Sequence, residues 1–504
     1  MSAKLFSFAP RGLEAQLVTV EVDAAKGLHQ FKIVGLADKA VEEAKERVTV
    51  ALRHAHAKPP QTYNQRVVVN LAPADLKKQG THFDLPIALA FLLASDQLQP
   101  KTKKPILAAA ELSLDGGLRA VPGILPAALL AKKQGALLLI SEANQKEAAL
   151  VEGIEFLATP NLTNMLKALE GDVPPEQGSG IPEDLQKTES DFDFSFIAGQ
   201  AHAKRALEIA AAGAHNLLLF GPPGSGKTLL VRALPSILPP LTAEETLEIT
   251  SLWSLAGLLN HDQPLMRERP FRSPHHSASR AALIGGGSGT AGPGEISLAH
   301  RGVLFLDEFP EFQRHVLEAL RQPMEDGIVS VARAEGTFTY PARFMLIASM
   351  NPCPCGHLDD PEIACKCSAG EIARYQKRVS GPMMDRIDLF VSMPRIPYEE
   401  FRGGEGAEPS EKVRERVVWA RARQEKRQRK TNAELSAKDL KKFSALPPDA
   451  EQMLKNAHDR MHLSPRAIHR ILKVSRTIAD LAGDETITAA HIAEALQYRQ
   501  QENE

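Results

Sequence analysis

The chain has 504 residues, of which 60 are Lys or Arg and 62 are Asp or Glu, and its net charge is −2. This length exceeds what one hydrophobic core supports, so we expect about three domains. The balanced charge excludes a uniformly basic nucleic-acid-binding protein, but it is compatible with nucleic-acid binding through local basic patches. No apolar run reaches the length of a membrane span and the N-terminus lacks a secretory leader, which predicts a cytoplasmic protein without membrane contacts.

Residues 1–170 alternate short β-prone runs with helix-compatible segments, which predicts an α+β domain. The predicted strands are Gln16–Val22, Phe31–Val34, Arg66–Asn70 and Ala136–Ile140, and the predicted helices are Asp38–His56, Phe83–Ala94 and Leu125–Gln134. The stretch 171–193 is rich in Pro, Gly, Ser and acidic residues and lacks apolar periodicity. It therefore predicts a linker between this domain and the rest of the chain.

Two phrases of the first domain, Lys77–Ala88 and Gly116–Gly123, resemble the proteolytic domain of Lon proteases. The resemblance covers most of residues 10–165 and implies a Lon-like fold. Peptidase chemistry does not follow from it. The nucleophile turn of that family falls on Gly80–Asp84 and its dyad lysine falls near Ala127, so neither the serine nor its base is present.

We therefore expect a catalytically inactive Lon-like domain that serves assembly or partner docking. The alternative is a residual activity carried by Thr81 or His82, the polar side chains that stand in the nucleophile turn. A nucleophile needs a positioned base to be effective, and the sequence offers none at the expected place.

A second unit, 194–395, begins with the apolar run Leu217–Phe220, a glycine loop and a helix-compatible segment. The loop fills every fixed position of G-x-x-x-x-G-K-[ST], which is typical of a phosphate-binding loop; a chance glycine turn is the alternative. Backbone N–H groups would bind the phosphates, Lys227 would supply charge to them, and the Thr228 hydroxyl would bind Mg²⁺. The predicted cofactor-binding residues of the loop are Gly221, Pro222, Pro223, Gly224, Ser225, Gly226, Lys227 and Thr228.

Two further strands of this unit end in polar side chains. The run Gly302–Leu306 precedes Asp307, predicted in the Mg²⁺ shell, and Glu308, predicted to activate the attacking water. The run Arg343–Ser349 precedes Asn351, predicted to contact the γ-phosphate or orient the water; a strand-ending Asn-Pro turn is the alternative. Together these motifs predict an ATPase that uses ATP and Mg²⁺.

The motif order resembles the AAA+ class of ATPases, which implies an α/β module with a parallel sheet, flanking helices and a helical lid. In that class a Gly-Gln turn lines the adenine pocket, which implies this role for Gly199 and Gln200; simple entry into a helix at Ala201–Ala212 is the alternative. Arg386 resembles the arginine finger inserted into a neighbouring subunit's site, and Arg466 resembles the sensor-2 arginine. Structural ion pairs are the alternative for both arginines.

The segment Arg269–Gly302, with its glycine cluster Gly285–Gly289, is too long for a simple connector and indicates a functional insertion. Gly327–Tyr340 predicts a β-hairpin with its turn at Arg333–Gly336. Together these features resemble the magnesium-chelatase-like branch of the AAA+ class, in which both insertions face the channel of a ring. His275 and His276 are either part of that surface or ordinary surface or capping residues. Candidate nucleic-acid contacts are Arg269, Arg272, Arg280 and Arg333.

The cysteines of the chain form one C-x-C-x₉-C-x-C cluster, Cys353, Cys355, Cys365 and Cys367. Thiolates at this density predict a tetrahedral zinc site that would fasten the loop between Asn351 and the Arg386 segment. Free thiols and a redox pair are the alternatives, since C-x-C is less usual than C-x₂-C for zinc. His357 is a reserve ligand.

Residues 396–504 predict a helical, polar C-terminal domain with helices at Ala450–His462, Pro465–Leu481 and Ala489–Gln500. Within it, Glu411–Lys430 carries nine Lys or Arg against three Glu. Such a run is either a solvated helix face or a nucleic-acid contact.

Across nearly its whole length the chain resembles the bacterial YifB/ComM family. The resemblance implies a homo-hexameric, ATP-driven DNA translocase and helicase that acts on single-stranded and branched DNA. It further implies branch migration during natural transformation, with recombination proteins as partners. The alternatives are a magnesium-chelatase-type motor subunit and an ATP-driven protein remodeller, neither of which uses DNA.

Overall fold

The computed structural model describes residues 2–28, 30–63, 65–182, 192–286, 292–333, 336–358, 360, 363–396 and 408–499. Four earlier expectations fall partly outside these residues: the end of the linker, the glycine cluster after Gly286, the hairpin turn at 334–335 and the start of the C-terminal domain. The described residues form an eight-stranded sheet, a five-stranded sheet and two short two-stranded sheets, followed by a group of helices.

The N-terminal region forms the eight-stranded sheet, in the order β10-β9-β8-β5-β1-β2-β4-β3. Its strands, with the separate pair β6 and β7, are β1 (Ser2–Arg11), β2 (Glu14–Lys26), β3 (Gln30–Val34), β4 (Gln65–Ala72), β5 (Ile106–Ala109), β6 (Glu111–Leu112), β7 (Leu118–Arg119), β8 (Leu137–Ser141), β9 (Glu155–Thr159) and β10 (Glu176–Gln177). β1 pairs antiparallel with β2 along its whole length. The prediction that this region combines strands and helices is confirmed.

Helices cover this sheet: α1 (Lys39–Glu42), α2 (Ala44–His54), α3 (Asp84–Ala94), α4 (Ile124–Gln134), α5 (Gln145–Ala148) and α6 (Leu162–Leu169). Helix is present over most of the predicted stretch 38–56, but it is interrupted at Glu43, which separates α1 from α2. Arg47, held by an ion pair to buried Asp84, donates through Nη2 to the carbonyl of Ala40 at 2.8 Å. An uninterrupted helix would use that carbonyl for the N–H of Ala44, so the guanidinium stabilises the break.

The predicted linker is partly structured. β10 pairs antiparallel with β9, and the following backbone continues the pairing: Gly178 N donates to Ile154 O at 2.8 Å and Gly153 N donates to Gly178 O at 2.8 Å. A Cβ at Gly178 would lie 2.1 Å from Val151 O, so only glycine fits this approach. The first part of 171–193 therefore belongs to the N-terminal sheet, and 183–191 lie outside the described residues.

The central region contains a parallel sheet with the strand order β12-β13-β16-β11-β17. The strands of this region are β11 (Leu217–Phe220), β12 (Phe271–Arg272), β13 (Val303–Leu306), β14 (Ile328–Arg333), β15 (Gly336–Pro341), β16 (Met345–Met350) and β17 (Leu389–Ser392). Its helices are α7 (Ala201–Gly213), α8 (Lys227–Arg232), α9 (Ala243–Leu255), α10 (Arg280–Ile284), α11 (Glu295–Leu298), α12 (Arg314–Glu318), α13 (Arg321–Asp326), α14 (Ala369–Gln376) and α15 (Gly381–Met384). The predicted α/β module is confirmed, as is the hairpin, because β14 and β15 pair antiparallel.

The C-terminal region is helical: α16 (Ser410–Gln428), α17 (Ala437–Phe443), α18 (Pro448–Met461), α19 (Pro465–Ala482) and α20 (Ala489–Gln497). Its side chains Ile471 and Ile492 share one hydrophobic core with Leu217 and Val391 of the parallel sheet. The helices therefore pack directly on the central module. No helix among the described residues combines the length and the apolarity needed to span a bilayer.

The N-terminal region contacts the central region at α9 and at the hairpin. Ser254 of α9 hydrogen-bonds the buried Glu147 carboxylate, and Gly123 N donates to Ser254 O at 3.1 Å. Gly12, in the turn between β1 and β2, approaches the hairpin so closely that a Cβ would lie 2.4 Å from Thr339 O. The Lon-like region thus lies against two elements that flank the nucleotide motifs in the sequence.

Candidate nucleotide site

The three strands that carry the nucleotide motifs are neighbours in the parallel sheet. β16 pairs with β11 on one side and with β13 on the other; Phe220 lies opposite Met350 and Leu306 lies opposite Ala348. Because parallel strands end at the same edge, the residues that follow them meet there, and such edges hold ligands in open α/β sheets. The phosphate loop, Asp307 and Asn351 are consequently brought together.

The glycines of the phosphate loop have two separate structural roles. A Cβ at Gly221 would lie 2.2 Å from Met393 O, so this position admits no larger residue. Gly226 has φ of 87° and directly precedes α8, where the left-handed conformation turns the chain into the helix. A helix N-terminus that follows such a turn presents free N–H groups, which suits the phosphates of a nucleotide.

Lys227 points back into the loop. Its Nζ donates to Gly221 O at 2.8 Å and to Pro222 O at 2.9 Å, and it lies 3.3 Å from Asn351 Oδ1. Burial lowers the pKa of this amine, and the nearby Asp307 charge partly offsets the effect. The ammonium is held at the centre of the loop by neutral carbonyls, which a phosphate oxygen can replace with a stronger, charge-assisted bond.

Thr228 and Asp307 supply oxygen atoms side by side. Thr228 Oγ1 donates to Asp307 Oδ2 at 2.9 Å, and Ser349 Oγ donates to the other carboxylate oxygen. A hydroxyl next to a carboxylate is the kind of ligand set that Mg²⁺ takes in nucleotide sites. These residues fit the ion; Ser349, which orients the carboxylate from the neighbouring strand, was missed by the sequence analysis.

Glu308 lies next to Asp307 in a left-handed conformation with φ of 52°. Its Oε2 is 2.9 Å from Nδ1 of His276, whose ring is tilted by 35° against that of His275 with centroids 4.0 Å apart. The predicted base therefore contacts the insertion between the two nucleotide motifs. Nothing in the local sequence around His276 connects it with Glu308, 32 residues further along the chain.

Gln200 joins two parts of the site. It has φ of 53°, directly after Gly199 with φ of 56°, and its Nε2 donates to Pro394 O at 2.7 Å and to Ser225 O at 3.4 Å. The turn thus lies against the phosphate loop and the segment that follows β17. This position is compatible with the adenine-pocket role that the resemblance implies for both residues.

Arg386 lies at the opposite edge of the sheet from the phosphate loop. Its carbonyl accepts from Asn216 Nδ2 at 3.0 Å, and Asn216 directly precedes β11, whose four residues span about 13 Å. The guanidinium is buried, with Nη1 donating to Pro382 O at 2.6 Å and Nη2 paired with Glu325. Arg386 therefore does not reach the nucleotide site of its own chain.

Arg466 lies near Arg386 in the first turn of α19. One turn later, Arg470 Nη1 donates to Asp388 Oδ1 at 2.6 Å, which fixes this end of the helix at the edge where β17 begins. Burial lowers the pKa of Arg386, and nearby positive charges that include Arg466 lower it further. The exposed Arg466 side chain is thus also separated from the phosphate loop of its own chain.

The four cysteine sulfurs form one cluster, with every Sγ within 4.8 Å of the others. Cys353 Sγ lies 3.5 Å from that of Cys355 and 3.7 Å from that of Cys365. Four sulfurs at 2.3 Å from a tetrahedral zinc ion are about 3.8 Å apart, so the cluster has the required dimensions. His357 instead pairs with Asp360, 3.0 Å away, and is not part of the cluster.

The cysteine loop touches the phosphate loop. Gly356, between the two cysteine pairs, has φ of 82°, and a Cβ there would lie 2.5 Å from Pro223 Cδ. Asn351 precedes the first cysteine by two residues. The loop therefore supports both the phosphate loop and the polar side chain at the end of β16.

Several candidate nucleic-acid contacts have partners within the chain. Arg269 bonds Glu245, and Arg272 makes two bonds of 2.6 and 2.7 Å to Glu295, so both are structural. Arg280, at the start of α10, is exposed. The Arg333 side chain lies outside the described residues.

The basic helix predicted at 411–430 is α16, and much of its charge is paired with other helices. Arg416 bonds Glu208 of α7, and Arg427 bonds buried Asp480 of α19 at 2.6 and 2.8 Å. Helix packing, rather than a continuous basic surface, accounts for these arginines.

In the Lon-like region, His82 is buried at the position of the missing nucleophile. Its Nε2 lies 2.8 Å from Phe8 O, and its ring stacks on Phe8. Burial lowers the pKa of His82 to about 4, against the opposing effects of the Phe8 carbonyl and Asp38. The imidazole is a structural group and is not exposed to a substrate.

The neutral His82 side chain makes the region sensitive to acid. Unfolded His has a pKa of about 6.5, so its stabilising contribution is complete above that pH and is lost as pH falls toward 4. Between pH 7 and 5 the local free energy of unfolding should fall by about 2 kcal/mol, measured by hydrogen exchange of the α3 amides. His82→Gln should abolish this fall in the free energy of unfolding, and the exposed control His54→Gln should keep it. An equal fall in the unsubstituted chain and in both variants would show that His82 is not its source.

The contact between His276 and Glu308 predicts a restraint on hydrolysis. His276→Ala should raise the basal ATP turnover about fivefold, equivalent to ~1 kcal/mol. The reason is that Glu308 Oε2 loses its contact with His276 and is then free to accept the proton of the attacking water. Steady-state phosphate release measures the effect, with His275→Ala as the matched control. A lower turnover in His276→Ala would show that His276 orients Glu308 for catalysis instead of restraining it.

Comparison with known protein families matches three parts of the chain. The models described as Magnesium chelatase, subunit ChlI; Subunit ChlI of Mg-chelatase; and Magnesium chelatase, subunit ChlI C-terminal match residues 193–401, 20–144 and 407–499. The Competence protein ComM of Haemophilus influenzae is 45% identical over 502 residues, 99% of this chain and 97% of the relative. The chain belongs to the YifB/ComM family. Escherichia coli YifB is 43% identical over 97% of this chain and 96% of its own length.

The likeness to an individual chelatase subunit, in contrast, covers only part of the chain. The Magnesium-chelatase 38 kDa subunit of Rhodobacter capsulatus is 30% identical over 33% of this chain and 52% of its own length. Membership in this magnesium-chelatase-like AAA+ family indicates ATP and Mg²⁺ as ligands, in agreement with the oxygens and the lysine at the sheet edge.

Proposed function

We propose that the chain is an ATPase whose hydrolysis drives DNA translocation and branch migration in a homo-hexameric ring. The observation that carries the ATPase part is the meeting of Lys227, Thr228, Asp307 and Asn351 at one sheet edge. The DNA substrate and a role in natural transformation rest on the family resemblance and on the name of the Haemophilus relative.

Each residue of the site has a defined role in this proposal. Lys227 and the loop N–H groups bind the ATP phosphates, and Asn351 contacts the γ-phosphate or the water. Thr228 and Asp307 would hold Mg²⁺, which when bound neutralises charge on the phosphate oxygens. Glu308 accepts the proton of the attacking water once it leaves His276.

The position of Arg386 and Arg466 supports a site completed between subunits. Both lie at the edge opposite their own phosphate loop, where a planar guanidinium can meet the γ-phosphate bound by a neighbour. In this arrangement Arg386 exchanges Glu325 for the neighbouring nucleotide. A closed ring follows when each subunit supplies one edge to the next.

Mixing two inactive variants tests this arrangement. Lys227→Ala and Arg386→Ala should each lose at least tenfold in ATP turnover alone, because each lacks one half of every site. Mixed after dissociation, they should recover part of the activity, since some interfaces combine two intact halves. No recovery in mixed rings, verified by cross-linking, would contradict completion of the site between subunits.

We also propose that the cysteine cluster binds zinc. The support is the spacing of the four sulfurs, which lie within 4.8 Å of one another. A thiolate is the form that ligates zinc. The ion would fasten the loop against Pro223 of the phosphate loop.

The experiment that separates DNA translocation from a chelatase-type motor is the response of ATP turnover to single-stranded DNA. The proposed function predicts that single-stranded DNA raises turnover severalfold, and that Glu308→Gln abolishes the DNA-stimulated rate. Indifference to DNA, together with a response to a protein partner, would favour the motor or remodeller alternatives.

A further inference from the structure

A cavity of about 560 Å³ lies between the parallel sheet and the C-terminal helices. It opens at the edge where β11 and β17 begin, and its lining includes Asn216, Arg386 and Lys473 of α19. The phosphate loop lies at the other edge of the sheet, so this cavity is separate from the nucleotide site of the same chain. Its volume lies within the usual range of small-molecule sites.

The lining carries more positive than negative charge: seven Lys or Arg side chains against five Asp or Glu. Five of the cations pair with carboxylates, as Arg269–Glu245, Arg301–Glu248, Arg343–Glu434, Arg386–Glu325 and Arg470–Asp388. In the part of the chain that the structure describes, Arg421 and Lys473 contact only backbone carbonyls, those of Ala211 and Ala433 at 2.7 Å each. Two lining cations therefore lack a counter-charge in ion-pair distance.

Buried N–H groups of the same side chains also lack acceptors. Among the residues that the structure describes, the Nε atoms of Arg386 and Arg421 are buried and have no hydrogen-bond partner. Leaving a charged donor buried and unbonded is costly, and a ligand that accepts the bond removes the cost. Burial lowers the pKa of Arg421 to about 10 and lowers that of Lys473 as well, and carboxylates beyond ion-pair distance, Glu434 among them, offset only part of this effect.

We propose that this cavity binds a free multivalent phosphate compound, with Arg421, Lys473 and the Nε of Arg386 as its ligands. Guanidinium and ammonium groups together suit phosphate oxygens, and two cations without an ion-pair partner favour an anionic ligand. The volume exceeds that of a single phosphate. Phe344 and Leu435 line the cavity as well, which leaves an apolar wall for an organic group attached to the phosphates.

The site goes beyond the proposed function, because occupancy requires neither hydrolysis nor DNA. A ligand there would bridge the sheet and α19, and would stabilise the contact between the central module and the C-terminal helices. The Lys227→Ala chain isolates this site, since its phosphate loop no longer binds nucleotide.

The test measures binding of inorganic tripolyphosphate to the Lys227→Ala chain by calorimetry and by thermal unfolding, with sulfate at equal ionic strength as the control. We expect saturable binding and a raised Tm with tripolyphosphate but not with sulfate. Adding Lys473→Gln should weaken binding at least about tenfold. Lys473→Arg and the exposed control Lys438→Gln should both retain it.

A second arm compares tripolyphosphate with ADP in the same chain. Tighter binding of ADP identifies a nucleotide as the preferred source of the phosphates, and equal binding identifies the phosphate chain alone. No binding of either compound to the Lys227→Ala chain would overturn the proposal, and so would full binding by Lys473→Gln. If the cavity contacts only the ATP of a neighbouring subunit, the Lys227→Ala chain binds neither compound. The unsubstituted chain would still hydrolyse ATP, so this result would overturn the cavity proposal without contradicting the proposed function.

Discussion

Glu308→Gln is expected to lower ATP turnover by about 10²- to 10⁴-fold while leaving ATP affinity within about twofold of the unsubstituted chain. The amide keeps the shape of the side chain but does not accept the proton of the attacking water. Lys227, Thr228 and Asp307 are untouched, so the contacts that bind the phosphates and Mg²⁺ persist. Single-turnover hydrolysis and equilibrium binding of a fluorescent ATP analogue measure the two quantities separately.

Glu311→Gln is the matched control for this substitution. Glu311 lies three residues further along and forms an exposed ion pair with Arg378. Its loss should cost no more than about twofold in turnover, since exposed ion pairs contribute little. If the Glu308→Gln chain hydrolyses ATP within tenfold of the unsubstituted rate, Glu308 is not the catalytic base.

The second large effect is expected from the cysteine cluster. The purified chain should hold about one zinc ion, and Cys365→Ser should lose it and lower ATP turnover at least about tenfold. The reason is the contact of Gly356 with Pro223 and the short link from Asn351 to Cys353, because a loosened loop displaces both. Metal content by mass spectrometry and steady-state turnover provide the two readouts.

His357→Ala controls for disturbance of the loop itself. His357 lies between the cysteine pairs but bonds Asp360, so the variant should keep its zinc and most of its turnover. Retention of zinc by Cys365→Ser, or its absence from the unsubstituted chain prepared without chelator, would contradict the assignment. Normal ATP turnover in a zinc-free chain would show that the nucleotide site does not depend on the metal.

The sequence predicts those parts of the site that follow short apolar strands. β11, β13 and β16 are nearly continuous apolar runs, as expected for strands buried on both faces of a parallel sheet. The side chains after them then meet because the strands are neighbours. Local pattern and chain order are sufficient for Lys227, Asp307 and Asn351.

Features that depend on distant partners were not predictable in this way. The break at Glu43 depends on Arg47 and Asp84, and the orientation of Arg427 depends on Asp480, 53 residues away. His276 reaches Glu308 only through the path of the insertion. Local propensity does not encode such pairings, since tertiary contacts decide them.

A synthetic four-way junction labelled for strand exchange is the most direct test of whether ATP hydrolysis moves DNA branches. We expect ATP-dependent conversion of the junction by the unsubstituted chain and none by Glu308→Gln, although both bind ATP. An unsubstituted chain that hydrolyses ATP in the presence of the junction and leaves the branch point unmoved would contradict this expectation.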